Sequence, residues 1–402
     1  MQLPKFFTTV TPFSKGLAIL LLVSLPFLGF YYGNKYNSSK YVIETNKQSI
    51  EKASESWVKP ISTDIAIPII KDNLLFTYSL STKKLEPTIY SSSWGSGAAG
   101  YGGDDPVLSP DGKYIAFINR QDGSKLYLLP SGSKKAISLT NYPVQYINSW
   151  SADSSKILYN SGEDNLGQRK MSEGMGDAPV WETFEKFNVS ASPGFHSFNI
   201  NSGQDTFLYP ISTAGKFIDN NRVIVELKQN TNSNDVRFVL FSVDTFEADY
   251  STVNYPIKSF GRQMSFSADG KLWARTEDDG LTEVVKITLS QFPQVSGDIV
   301  QTSRWGFIQK PLLNPTGKFL AYTKKGEQLT SGQYSGQYPD TTVVWDSTSK
   351  KVIKELSGFP EYWVGENQIL IGRVEYGSNL SNFNSFDLYN VVTGQTESIQ
   401  IK

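Results

Sequence analysis

The sequence predicts an all-β protein: a seven-bladed β-propeller, with six or eight blades also compatible, behind one N-terminal transmembrane helix. Three observations predict it. A nine-residue turn-plus-strand pattern recurs six times after residue 100. Its copies start at 109, 151, 217, 267, 314 and 364, spacings of 42, 66, 50, 47 and 50 residues. That period suits four-stranded blades and is too long for hexapeptide β-helices or leucine-rich repeats. The composition, 13% aromatic with 32 Gly in 402 residues, is that of short strands joined by many tight turns.

Each column of the repeat has a physical reason. The third residue (Asp111, Asp153, Asp219, Asp269) can accept a hydrogen bond from the backbone two residues on and so close an Asx turn. The fourth is Gly or Asn in five of the six copies, including Gly112, Asn220, Gly270 and Gly317, because these reach φ > 0 most cheaply; Ser154 is the exception. Four residues alternating in size follow and read as an inner strand packed on both faces. A second strand and a hairpin into a third come next, as in 125–129 with 136–139, 342–346 with 351–356 and 386–392 with 395–399. A partial unit at 73–79 and 84–89 precedes the six copies and brings the count to seven, while the strand that closes the ring cannot be picked out.

The stretches SPDGKYIAF (109–117), WSADSSKILY (150–159), FSADGKLWAR (266–275) and LNPTGKFLAY (313–322) resemble the WD40-like (PD40) repeat of TolB-type β-propellers, which reads W-S-P-D-G-K before an apolar strand. The resemblance covers most of 62–402. It implies the propeller fold and leaves function open, since such propellers include periplasmic interaction proteins and the non-catalytic domains of some peptidases. An anchored, stand-alone chain departs from soluble TolB, so a role in that protein's complex does not carry over.

Residues 1–15 form a short tail. The eighteen residues 16–33, GLAILLLVSLPFLGFYYG, carry no charge and are flanked by Lys15 and Lys35, as expected of a membrane anchor with Tyr31 and Tyr32 in its interfacial belt. A cleaved signal peptide and a buried core helix are the alternatives; no A-x-A-like site follows the apolar run. Residues 34–61 read as a stalk and 62–402 as the propeller. A short tail and a long body place the propeller on the extracytoplasmic side of a single-pass protein, with the membrane as a partner through 16–33.

A net charge of -1 gives no field to hold nucleic acid. With no Cys and one His, thiolate chemistry and a structural zinc site are excluded, and neither cofactor nor metal is expected. The run Gly95 to Gly100 matches G-x-G-x-x-G, but no helix follows it to meet a pyrophosphate, so the match is accidental. No G-x-S-x-G stretch is present. The lone His196 reads as a packing or surface residue of an aromatic-rich loop rather than a general base. The acidic pairs and triplet at Asp104-Asp105, Glu163-Asp164 and Glu277 to Asp279 lack the alternating calcium-loop pattern and read as solvated turns.

Two long loops are the candidate binding segments for a protein or peptide partner: 91–106, with Trp94, Tyr101, Asp104 and Asp105, and 162–198, with Met171, Met175, Trp181, Phe184 and Phe187. The expected function is a membrane-tethered extracytoplasmic binding scaffold without catalysis. The alternative is a hydrolase or lyase acting on saccharide or peptide at the central channel, which three or more ionisable groups converging at one mouth would favour.

Overall fold

The computed structural model describes residues 64–71, 74–91, 106–161, 194–209, 214–227, 237–245, 248–253, 264–278, 284–294, 296–304, 308–327, 339–373 and 385–400, all within the unit Trp57–Lys402. Their strands form seven antiparallel sheets, each built from strands consecutive in the chain. Blade 1 has β1 (Ala66–Lys71), β2 (Leu74–Ser79) and β3 (Leu85–Ser91), and blade 2 has β4 (Val107–Leu108), β5 (Tyr114–Asn119), β6 (Lys125–Pro130) and β7 (Ile137–Ser138). Blade 3 has β8 (Val144–Trp150), β9 (Lys156–Ser161), β10 (Gly194–Asn199) and β11 (Gln204–Tyr209); blade 4 has β12 (Ala214–Phe217), β13 (Arg222–Leu227), β14 (Arg237–Ser242) and β15 (Ala248–Val253). Blade 5 has β16 (Met264–Phe266), β17 (Leu272–Asp278), β18 (Val284–Gln291) and β19 (Asp298–Arg304). Blade 6 has β20 (Ile308–Leu313), β21 (Phe319–Lys325), β22 (Asp340–Asp346) and β23 (Lys351–Ser357), and blade 7 has β24 (Phe359–Val364), β25 (Gln368–Arg373), β26 (Ser385–Asn390) and β27 (Thr396–Gln400).

The apolar core lies in slabs between neighbouring sheets, which is what two-faced strands require. Ile118 and Leu126 meet Ile147 and Tyr159, Leu158 and Phe195 meet Val223 and Phe241, and Ile224 meets Trp273. Ile287 and Leu289 meet Leu320, and Phe319 and Val344 meet Ile369 and Tyr389. The slab around Ile67 and Leu75 of blade 1 includes Leu370 and Phe386 of blade 7 as well as Ile115 and Leu129 of blade 2, and this closes the ring. The fold is a seven-bladed all-β propeller.

Radial sheets converge toward the axis, so the strands that touch their counterparts in adjacent blades are the inner ones. These are the first strands, with contacts β4 to β8, β8 to β12, β16 to β20 and β20 to β24. The repeat strand is therefore the second of each blade and not the inner one, a correction to the sequence reading. Blade 1 departs from the rest. A Cβ on Gly112 would lie 2.8 Å from Ile65, just as one on Gly317 would lie 2.8 Å from Leu272 at the second strand of blade 5, so β1 stands in a second-strand position. No described strand occupies the innermost position of blade 1.

The Asx turns form as expected. The carboxylate oxygen of Asp111 accepts from Ser109 Oγ (2.7 Å) and the Lys113 amide (3.1 Å), and Ser109 Oγ accepts from the Tyr114 amide (3.0 Å). The same trio recurs with Ser151, Asp153 and the Ser155 and Lys156 amides, and with Ser267, Asp269 and the Lys271 and Leu272 amides. Gly112, Gly270 and Gly317 take φ of 73°, 66° and 74°, and Ser154 takes 62° at the equivalent place. Asn220 is not among the described residues with positive φ, and in the copy starting at 364 the left-handed residue is Gly365 rather than Asn367. Asn220 has a different role: its Oδ1 accepts the amide of Asp153 in the neighbouring blade at 2.8 Å.

A tryptophan before the repeat clasps the preceding blade. Trp150 stacks on Tyr114 at 6.4 Å and donates Nε1–H to the Val107 carbonyl at 3.2 Å; Trp363 stacks on Phe319 at 6.4 Å and donates to the Leu312 carbonyl at 2.9 Å. Each tryptophan directly precedes its repeat, and each accepting carbonyl lies two residues before the preceding one. Residues 1–15, 16–33 and 34–61 lie outside the described residues, among which no helix is long and apolar enough to cross a membrane.

Candidate functional site

In sheets of consecutive antiparallel strands, the first-to-second and third-to-fourth turns leave from one face of the disc, and the second-to-third connections and interblade links from the other. The first face is tied shut. The Asp111 amide donates to Ser154 Oγ (3.0 Å), the Asp153 amide to Asn220, the Ala268 amide to the Pro315 carbonyl (2.8 Å) and Asn314 Nδ2 to the Glu366 carbonyl (2.8 Å), so turn after turn is bonded to the next blade. Burial pushes the carboxyls of Asp111, Asp153 and Asp219 up, but the hydrogen bonds they accept outweigh it and hold all three below the usual range. Every connection of nine residues or more between described strands leaves from the second face: 92–106, 162–193, 228–236, 254–263, 326–339 and 374–384.

Toward the axis, three inner strands slip register. Strand β8 does so twice, leaving Gln145 and Asn148 without a cross-strand partner on β9; β20 slips at Lys310, and β24 at Glu361. A bulge places one extra residue and re-aims its side chain, and here the re-aimed residues are polar. Lys310, held at φ 52°, donates Nζ–H to Glu361 Oε2 at 3.2 Å. Glu361 is 9% exposed and Lys310 28% exposed, so the pair is partly shielded. On the other side, Asn148 Nδ2 donates to Asn160 Oδ1 (3.2 Å) and Asn160 Nδ2 to Tyr146 Oη (2.6 Å). In a ring of seven, blade 3 stands across the axis from the junction of blades 6 and 7, so the bulged strand β8 faces the bulged pair β20 and β24 from the opposite side of the ring. Burial, and then the neighbouring Glu361, push the Tyr362 phenol well above its ordinary range.

Trp94, Tyr101, Asp104 and Asp105, the Gly95 to Gly100 run, and Met171, Met175, Trp181, Phe184 and Phe187 all lie outside the described residues, as do Glu163 and Asp164. The second candidate loop is shorter than the sequence suggested, because 194–198 belongs to β10 in the middle of blade 3. His196 is thus a strand residue and not a loop residue, and it is buried. Glu277 is engaged by the buried guanidinium of Arg275, so the acidic stretch that includes it is not simply a solvated turn. Sequence reasoning missed Gln145, Asn148, Lys310 and Glu361. The one signal was the failure of period-2 alternation in segments that also carry strand-forming residues.

No family model matches the sequence, and no curated protein matches it. Solved structures do. The β-propeller domain of the trilobed protease from Pyrococcus furiosus, described as having an open velcro topology, is similar with a TM-score of 0.51 and 11% identity over 84% of this chain and 93% of that one. The likeness shows the fold alone. The acylaminoacyl peptidase of Pyrococcus horikoshii is similar at TM-score 0.49 and 13% identity, over 84% of this chain and 52% of that one. TolB from Acinetobacter baumannii is similar at TM-score 0.47 and 12% identity, over 73% of this chain. The chain spans 63% of that TolB.

Proposed function

We propose that this chain is a non-catalytic binding module, tethered to a membrane by residues 16–33 with the propeller on the extracytoplasmic side, and that it engages a protein or peptide partner through the face bearing its long connections. The asymmetry of the two faces carries this reading: turn-to-turn hydrogen bonds tie one face together, while every connection of nine residues or more between described strands leaves from the other. The alternative, a hydrolase or lyase acting on saccharide or peptide at the channel, needs a carboxylate free to take a proton. Glu361 is instead held by Lys310, and among the described residues this pair is two ionisable groups where three or more converging at one mouth would favour catalysis.

The test replaces 162–193 with a short Gly-Ser link. Ser161 and Gly194 are cross-strand partners, so the propeller closes over the deletion. The module reading expects unchanged thermal unfolding and loss of crosslinked partner relative to the full chain. Retention of the same partners removes this segment as the contact, and turnover of a saccharide or peptide that Glu361→Gln abolishes would establish the enzyme reading. Protease digestion of intact cells reports the side on which the propeller lies.

A further inference from the structure

The single histidine of the chain stands in a cluster that neither the repeat nor the proposed binding face accounts for. Tyr142 comes from the link between β7 and β8, Tyr159 from β9, His196 from β10 and Asp205 from β11. His196 sits directly across from Tyr159 on one side and Phe207 on the other, with its ring stacked on Tyr159 at 5.3 Å and edge-on to Phe207 at 5.3 Å. Four polar side chains converge. Tyr142 Oη is 2.7 Å from Tyr159 Oη and 3.4 Å from His196 Nδ1, it donates to Asp205 Oδ2, and His196 Nδ1 is 3.2 Å from Asp205 Oδ1. Tyr159 is fully buried and His196 is 4% exposed.

We propose that Tyr142, Tyr159, His196 and Asp205 form a mononuclear site for a hard trivalent cation, with ferric iron the cation of that class. The spacing fits: ligand atoms at about 2.0–2.2 Å from a metal and at right angles to each other lie about 3 Å apart. The donor set fits as well, being three oxygens and one imidazole with no soft sulfur. Charge decides between valences. Two phenolates and one carboxylate carry three negative charges, which a trivalent ion cancels, and a buried site strongly favours that neutrality. Among the described residues no three His, Cys, Asp or Glu group as a metal site, and this cluster qualifies only because two of its ligands are phenols.

Binding balances by proton release. Each tyrosine exchanges its O–H proton, lost to solvent, for an oxygen–metal bond, and the imidazole keeps its proton on Nε2 so that Nδ1 can ligate.

The experiment titrates the full chain with ferric nitrilotriacetate and records the difference spectrum against the chelate alone. A phenolate-to-iron charge-transfer absorption in the visible is expected, saturating at one iron per chain and accompanied by a rise in the thermal midpoint. Tyr142→Phe and Tyr159→Phe should each weaken iron binding by more than about tenfold, with far-UV dichroism checking that they fold. If either fails to fold, Asp205→Asn serves as the ligand variant with the same expectation. No visible band in the native chain overturns the site, and so does a band that survives in the double variant Tyr142→Phe/Tyr159→Phe, which would mark adventitious iron only. A larger thermal shift with zinc or manganese chloride than with ferric iron overturns the trivalent assignment.

Discussion

The seam between blades 2 and 3 and the seam between blades 7 and 1 join similar sheets by different means. At the first, an inner strand is present on both sides, Trp150 is stacked over Tyr114, and the turn amide of Asp111 finds Ser154. At the second, blade 1 brings no described inner strand. Tyr362 of blade 7 reaches over to donate to the Pro68 carbonyl on β1 (3.1 Å), while Lys83 and Tyr78 hold Glu397, the lysine at 2.5 Å. No described strand from one end of the chain pairs into the sheet at the other. Among the described residues, this seam is held by apolar packing and a few side-chain hydrogen bonds, some of them partly solvated, and by no exchanged strand.

Substitutions at four positions test whether the two seams are held in these different ways. Trp150→Ala should cost the most, about 3–5 kcal/mol in urea unfolding, because it removes a buried indole and leaves the Val107 carbonyl without that donor. Next is Tyr362→Phe. Losing the hydroxyl leaves a shielded carbonyl unpaired, at a cost of about 1–3 kcal/mol, and amide exchange should quicken in blades 1 and 7 while blade 3 stays as before. Equal quickening in blade 3 would mean that the seams are not independent. Ser154→Ala should cost about 1 kcal/mol, since it leaves a side chain at φ 62° and deprives the Asp111 amide of its acceptor. Ser154→Gly, which relieves the backbone, should be milder than the alanine; the reverse order would show that strain at this φ contributes nothing.

The smallest effect belongs to Glu397→Gln, under about 1 kcal/mol near neutrality because the pair is partly exposed. Its pH dependence is more telling. Burial pushes the Glu397 carboxyl up, yet the hydrogen bonds from Lys83 and Tyr78 outweigh it and hold it below the ordinary range. A carboxyl lowered in the native state stabilises fully above the unfolded value, about 4.3, and that contribution is lost as pH falls through the lower native value. Unfolding midpoints measured across this acid limb should therefore slope less steeply in Glu397→Gln than in the native chain.

Much of the fold was legible because its chemistry is local. Ser109, Asp111 and Gly112 announce a turn through bonds that span at most five residues, so four such copies and two weaker ones mark the blades in sequence. The inner strands were not legible. Strand β4 has two residues and β16 three, and in β8 and β20 the bulges at Gln145, Asn148 and Lys310 break the alternation by which strands are recognised. Strand β1 was missed because Pro68 suppresses a strand assignment, and Pro68 is tolerated there because no described neighbour needs an amide from it. The Tyr142, Tyr159, His196 and Asp205 cluster was invisible because its members come from four segments that only the pairing of β9, β10 and β11 brings together. The far boundary expected for the 162–198 loop falls in the wrong place, since a strand entered from a long connection begins with the unremarkable Gly194.

Because the described strands of each sheet come from one consecutive run of the chain, a nascent polypeptide leaving the ribosome can finish these strands in the order in which they are made, and none of the described early strands waits for a partner synthesised at the end. Only the final event is remote. Tyr78 and Glu397 are separated by 319 residues, so the loop-closure entropy of the whole ring falls on one late docking step, after most of the local structure has already formed.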